Sequence, residues 1–190
     1  SVSDREVVVT TKVAIMLNVL LDDLADKFHD RETFEFCSRL LTGEAQIEDW
    51  KGPPERRRYF EVVLDVMGFI KKRIQQFPSY EILKEILTFD FQQIFNCMRY
   101  ALVANSVWQF ANLTEFYMYQ SHNMNMMVNL TIDLMNHRSF DLTELSRVRQ
   151  VVLEAQKLVS IGNTISTWER ELEDGDFSSA VFAYALEKRV

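Results

Sequence analysis

The sequence predicts an all-α fold, and three observations carry that reading. Only 5 glycines and 3 prolines stand among 190 residues, too little turn chemistry for a many-stranded sheet. Long stretches consist of helix-forming residues. With 47% hydrophobic and 26% charged residues in 22.4 kDa, the composition is globular and the chain is long enough to bury a sizeable core.

The elements follow in order. Segment 4–28 carries Val8, Val13, Ile15, Met16, Val19, Leu20 and Leu24, spacings that suit a helix buried on more than one side. A second helix spans about 31–42, with Asp30 as its N-cap and Gly43 as its stop. Lys51-Gly52-Pro53-Pro54 is the clearest break. The next helix starts at Pro54 or Glu55 and runs through Arg56, Arg57 and Arg58, read as a solvated helix start, to about Gln76. There Phe77-Pro78 ends it, because a residue before proline avoids the α region. Helical pattern resumes over 79–88, over a very aromatic stretch from Phe89 to about Ser121, and over Asn123–Asn136. Asp141 or Thr143 caps a helix reaching roughly Leu172, and a last helix covers about 176–189. No internal repeat and no heptad run long enough for a coiled coil emerges, so one helical domain is expected over 1–190.

A balance of 21 basic against 28 acidic residues, net −7, argues against nucleic acid and gives no basic footprint for anionic lipid. The apolar runs are too short to span a bilayer, so no stable membrane insertion is expected. Cys37 and Cys97 have no C-x-x-C spacing and the first residues have no signal-peptide character, which reads as a reduced cytoplasmic setting. Both cysteines read as buried apolar fillers.

Two constellations carry chemistry. Asp22-Asp23-Leu24-Ala25-Asp26 ends an otherwise apolar helix, and Asp22 and Asp26, four residues apart, project from one face with Asp23 beside them. Like charges at that spacing repel unless a cation neutralises them. Oxygen ligands without His or Cys suit Mg²⁺ or Mn²⁺. The plainer reading is a solvated acidic helix end. Further on, Asn163, Thr167 and Glu171 stand at i, i+4 and i+8, stacking an amide oxygen, a hydroxyl and a carboxylate. Asn and Thr are mediocre helix formers, so an ordinary exposed helix has no reason to prefer them. Arg170 beside Glu171 can reach a phosphate.

Through these two patterns the sequence resembles class I terpene synthases (terpene cyclases). Asp22, Asp23 and Asp26 match that family's D-D-x-x-D motif, and Asn163, Thr167, Arg170 and Glu171 match its N-D-x-x-S/T-x-x-x-E motif. The resemblance covers residues 22 to 171. It implies an α-helical bundle with a central apolar cavity and the two motifs at its mouth. It also implies three Mg²⁺ ions held between them, and ionisation of a linear C15 or C20 prenyl diphosphate to a cyclic terpene with release of diphosphate. Asp22, Asp26 and Arg170 would be the catalytic groups, and a homodimer is what the resemblance suggests. Thr164 stands where the family often has Asp. No arginine lies in Glu115 to Asn129 where the family carries a diphosphate-sensing one, and His122 is taken as its substitute. The downstream Arg-Tyr pair is absent and only 21 residues precede Asp22, so the chain reads as the central part of such a synthase. A prenyl diphosphate synthase-like transferase is the enzymatic alternative, although those use two aspartate-rich motifs. A non-catalytic helical binding module is the alternative of another class. Phe89, Phe91, Phe95, Tyr100, Trp108, Phe110, Phe116, Tyr117 and Tyr119, with Met124, Met126 and Met127, are the candidate lining of a hydrocarbon site.

Overall fold

The computed structural model describes residues 4–189, and the side chains of Asp26 and Asp174 lie outside what it describes. Among the described residues there are eight α-helices and no strand, and no helix is long and apolar enough to cross a membrane. The contacts gather into two compact units. One takes the chain through Gln92 and adds Met127–Leu145, and the other comprises Gln93–Met126 and the chain from Ser146 onward.

In the first unit, α1 (Asp4–Asp22) packs on α3 (Arg57–Ile74). It buries one face, Val7, Thr10, Ala14, Leu17, Asn18 and Leu21, at the three-and-four spacing of a helix stripe. Burial on more than one side does not occur: Val8, Ile15, Met16 and Val19, placed inside by the sequence pattern, are exposed. α2 (Arg31–Thr42) forms as its caps require. Asp30 accepts from the Thr33 N–H at 3.0 Å, and Gly43 takes the left-handed conformation at φ 83° that favours glycine. A short 3₁₀ turn, Pro54–Arg56, leads into α3, whose Phe60, Val63, Val66, Ile70 and Ile74 are buried. The Trp50 ring stacks on Phe60 at 4.6 Å, and Phe36 meets Phe60 edge-on at 5.7 Å.

α4 (Tyr80–Ser106) is a single helix, so the expected interruption near 88 is absent. Phe89 and Asp90 continue its regular backbone, and the real break follows Ser106, where a 3₁₀ turn, Trp108–Phe110, leads to Asn112, which caps α5 (Leu113–Tyr119) by accepting from the Glu115 N–H at 2.9 Å. α6 (Met126–Asn136) closes the first unit on α4, where the Thr131 hydroxyl donates to buried Asp90 at 2.6 Å.

In the second unit, α8 (Ala180–Lys188) packs on α5, and Tyr100, Ala104 and Ala111 form a small core with Tyr119 and Leu186 against them. α8 starts four residues later than the sequence suggested. Asp176 holds a preceding turn through the Ser178 N–H and hydroxyl, and Ser179 takes the N-cap. α7 (Leu145–Asp174) is the longest helix.

Candidate functional site

The first motif lies where α1 changes its winding. Asp22 is the last α-helical residue, and Asp23–Lys27 form one π-helical turn closed by the Phe28 N–H on the Asp23 carbonyl, five residues back, at 2.9 Å. The wider turn alters the four-residue superposition of Asp22 and Asp26 that a regular α-helix would impose. Asp22 and Asp23 are half-buried, and the Asp26 side chain lies outside the described residues. Among the described residues no group of three or more His, Cys, Asp or Glu is gathered as a metal site.

This turn has polar neighbours that the sequence did not disclose. Arg56, expected to be solvated, lies with its Nε 3.2 Å from Asp30 and its guanidinium 4.3 Å over the Phe28 ring. Arg57 and Arg58 are exposed, as expected. Phe28 in turn meets Tyr59 edge-on at 5.3 Å. The Tyr59 hydroxyl donates to the Leu20 carbonyl at 2.8 Å, and burial, followed by the nearby charge of Asp23, pushes it up to about 12. No local signal could have found Arg56, because its partner Asp30 is 26 residues earlier and was legible only as a cap.

The second motif lies on α7. Thr167 Oγ1 is 2.8 Å from the Asn163 carbonyl and 2.5 Å from Glu171 Oε1, two acceptors for its single hydroxyl proton, with the carboxylate the nearer. The other carboxylate oxygen, Glu171 Oε2, is buried with no hydrogen-bond partner. Thr167 and Glu171 are half-buried, whereas Asn163 and Arg170 are exposed. The column therefore does not present three ligands equally. Each step of four residues overshoots a full turn by about 40°, so three such residues spiral across the helix surface.

Thr164, which stands where the resembled family often has Asp, is buried on this helix with Ser160 and fully buried Gln156. His122, on the 3₁₀ turn Gln120–Met124, puts its Nδ1 3.3 Å from Gln156 Nε2. If the Gln156 amide is turned over, its otherwise unpartnered Oε1 accepts from Nδ1–H instead. Gln156 stands 15 residues before Glu171, roughly 22 Å along the helix at 1.5 Å per residue. The structure thus seats His122 on Gln156 and does not bring it to the Thr167–Glu171 end.

The aromatic stretch divides as well. Phe91, Phe95, Tyr100 and Phe116 are core, while Phe89, Trp108, Phe110 and Tyr117 are exposed. An apolar pocket of about 490 Å³ in the second unit takes only Trp108 from that stretch; Phe177, Phe182, Ala185, Leu186 and Arg189 complete its lining. Both cysteines are buried, as expected, and burial pushes the Cys37 thiol up to about 12.

A donor set of carboxylate, hydroxyl and amide oxygens fits a hard divalent cation, and the partnerless Glu171 Oε2 beside Thr167 is an atom such an ion would satisfy. Compared with family models, with curated proteins and with solved structures, the chain matches none.

Proposed function

We propose that the chain is a magnesium-dependent class I terpene synthase, or the central part of one, that ionises a linear C15 or C20 prenyl diphosphate and forms a cyclic terpene with release of diphosphate. The observation that carries this reading is Glu171 Oε2, a buried carboxylate oxygen left without a partner within the second motif. Leaving a charged acceptor unsatisfied in a protein interior is costly, so a missing cation is the economical explanation.

Asp22, Asp23 and Asp26 would hold Mg²⁺ at one motif, and Asn163, Thr167 and Glu171 at the other. Bound Mg²⁺, three ions by resemblance, would neutralise the charge of the departing diphosphate. The chain's own residues do the rest. Arg170, exposed beside Glu171, donates charge-assisted hydrogen bonds to diphosphate oxygens. Thr167 keeps Glu171 Oε1 occupied and so orients the free oxygen. Apolar and aromatic side chains exclude water from the cation formed and stabilise it through their ring faces. The bundle type with its central apolar cavity is part of this proposal. A non-catalytic helical binding module is the second reading, favoured by the exposure of Asn163 and Arg170.

The deciding experiment is incubation with Mg²⁺ and C10, C15 and C20 prenyl diphosphates, following diphosphate release and identifying products by gas chromatography with mass detection. A cyclic hydrocarbon or alcohol, abolished by chelator and by Glu171→Gln, supports a synthase. No release from any of the prenyl diphosphates, with the fold intact and no Mg²⁺-dependent diphosphate binding, supports the module. Full turnover by a double Asp22→Ala, Asn163→Ala variant rejects the metal assignment.

A further inference from the structure

The outward face of α7 carries a pattern that its buried face does not explain. Val151, Leu158, Ile165 and Leu172 lie seven residues apart, with Ile161 and Trp168 three residues after Leu158 and Ile165, and all six are exposed, Leu158 at 71% and Ile165 at 69%. That is the spacing of a coiled-coil seam, about 32 Å long at 1.5 Å per residue, with the charged Glu154 in place of an apolar residue three positions after Val151. The sequence alone concealed it because α7 is also apolar at intervening positions such as Val152, Leu153 and Val159. Val152 and Leu153 are half-buried, and Val159, exposed at 49%, is set apart by register, since it lies neither three, four nor seven residues from any member of the seam.

Two features of the helix point to what covers this seam. Its charges run against its own dipole. Arg147, Arg149 and Lys157 stand in the first half against Glu154, while Glu169, Glu171 and Glu173 stand in the second against Arg170. A helix by itself prefers acids near its start and bases near its end. A second α7 lying antiparallel places the basic half of each helix along the acidic half of the other, whereas a parallel copy aligns like charges. The other feature is Gly162 at the middle of the seam. Mid-helix glycine is unfavourable, and a Cβ built there meets nothing within 4 Å in its own chain, so no crowding within the chain requires it. Gly68 of α3 is equally uncrowded, so Gly162 bears on a partner only through its place beside the exposed seam, where it would let a second helix approach closely.

We propose that α7 is a self-association surface on which a second copy of the chain docks antiparallel. Leu158 packs on Trp168 of the second copy and Ile161 on its Ile165, with the twofold axis passing beside Gly162. The seam lies on the face of α7 opposite Gln156, Ser160 and Thr164, and its test reads mass and not turnover, so it fails separately from the enzymatic reading although Arg170 and Glu171 count in both.

Sedimentation of the full chain over a concentration series tests this. The wild-type mass is expected to rise with concentration toward twice 22.4 kDa. A double Leu158→Lys, Ile165→Lys variant is expected to stay at the single-chain mass with unchanged circular dichroism. A wild-type chain that remains single, or a variant that still doubles, overturns the proposal. Should the lysine variant unfold, Gly162→Leu serves in its place. It improves helix propensity while blocking close approach, so the dimer is expected to be lost with the unfolding midpoint held or raised, and a retained dimer overturns the proposal. Orientation is read by mixing Ile161→Cys and Ile165→Cys chains under oxidation: the mixed disulfide is expected to dominate, and predominance of either symmetric disulfide excludes the antiparallel arrangement.

Discussion

Helices α3 and α7 differ in which residues they bury, although both are long and carry similar numbers of apolar side chains. α3 buries Phe60, Val63, Val66, Ile70 and Ile74 and turns its arginines and lysines outward. α7, among the described residues, buries Gln156, Ser160 and Thr164 and exposes Val151, Leu158, Ile165 and Leu172. The first arrangement is explained within the chain, because burying apolar surface drives folding. The second is not, since a buried amide oxygen without a partner, Gln156 Oε1, opposes folding and exposed apolar stripes wait for something to cover them. The contrast separates residues whose burial the fold explains from residues whose placement it does not, and the two proposals above assign the latter to an ion or polar ligand on one side of α7 and to a second copy on the other.

The largest expected effect belongs to α3. Phe60→Ala removes the ring that Trp50 stacks on and Phe36 meets edge-on, and should cost about 3–5 kcal/mol in urea unfolding. A loss below about 1 kcal/mol would mean that the α3 interior is not tightly packed and that its contrast with α7 is weaker than the burial pattern implies.

Where chain chemistry is local, the sequence was informative. Asp30 and Gly43 bound α2 at both ends because a cap and a left-handed stop act within a few residues. The all-helical class was likewise legible from the scarcity of glycine and proline. What failed was anything set by distant contacts or by small changes in winding. The exposed face of α1 could not be read from its apolar content, nor could the continuity of α4 past residue 88. Of the candidate site, Thr167 and Glu171 stand together as their spacing required. Asn163 is turned outward, and His122 is seated on Gln156. The π turn at Asp23 has no sequence signature that periodicity can detect.

A second comparison uses pH. Cys37, fully buried on α2, has its thiol pushed from 9.0 to about 12 by burial and then by the charge of Asp30. The folded state therefore holds a proton that the unfolded chain releases above pH 9, so stability is fully present below that pH and falls as pH rises toward 12. The cumulative loss by pH 10 should be about 1.4 kcal/mol, of which about 1 kcal/mol falls between pH 9 and 10, and Cys37→Ala should remove it. Tyr59, ordinarily at 10.0 and raised to about 12, adds a further loss only above pH 10. An unchanged slope in Cys37→Ala between pH 9 and 10 would assign the alkaline transition elsewhere.

The interior of α7 should respond in the opposite sense to that of α3. Gln156→Leu keeps the volume and removes an amide whose Oε1 has no partner, at the cost of its contact with His122. Replacing an incompletely satisfied buried polar group by an apolar one is near neutral or stabilising, here by up to about 1 kcal/mol. A destabilisation of about 2 kcal/mol or more would show instead that the Gln156–His122 pair is fully satisfied and structural, with its amide in the turned-over orientation.

The smallest effect is the most informative about the exterior. Leu158→Ala at high dilution deletes apolar atoms that are already in water, so unfolding free energy should change by no more than about 0.5 kcal/mol. The same exchange at Ile70 on α3 should cost about 2–5 kcal/mol, because Ile70 is buried and its deletion leaves a cavity. If Leu158→Ala proves as costly as Ile70→Ala under dilution, the stripe is covered by the chain itself and needs no second copy. If its cost is negligible when dilute and grows with protein concentration, the missing neighbour is another molecule, since binding to the folded state raises stability by mass action.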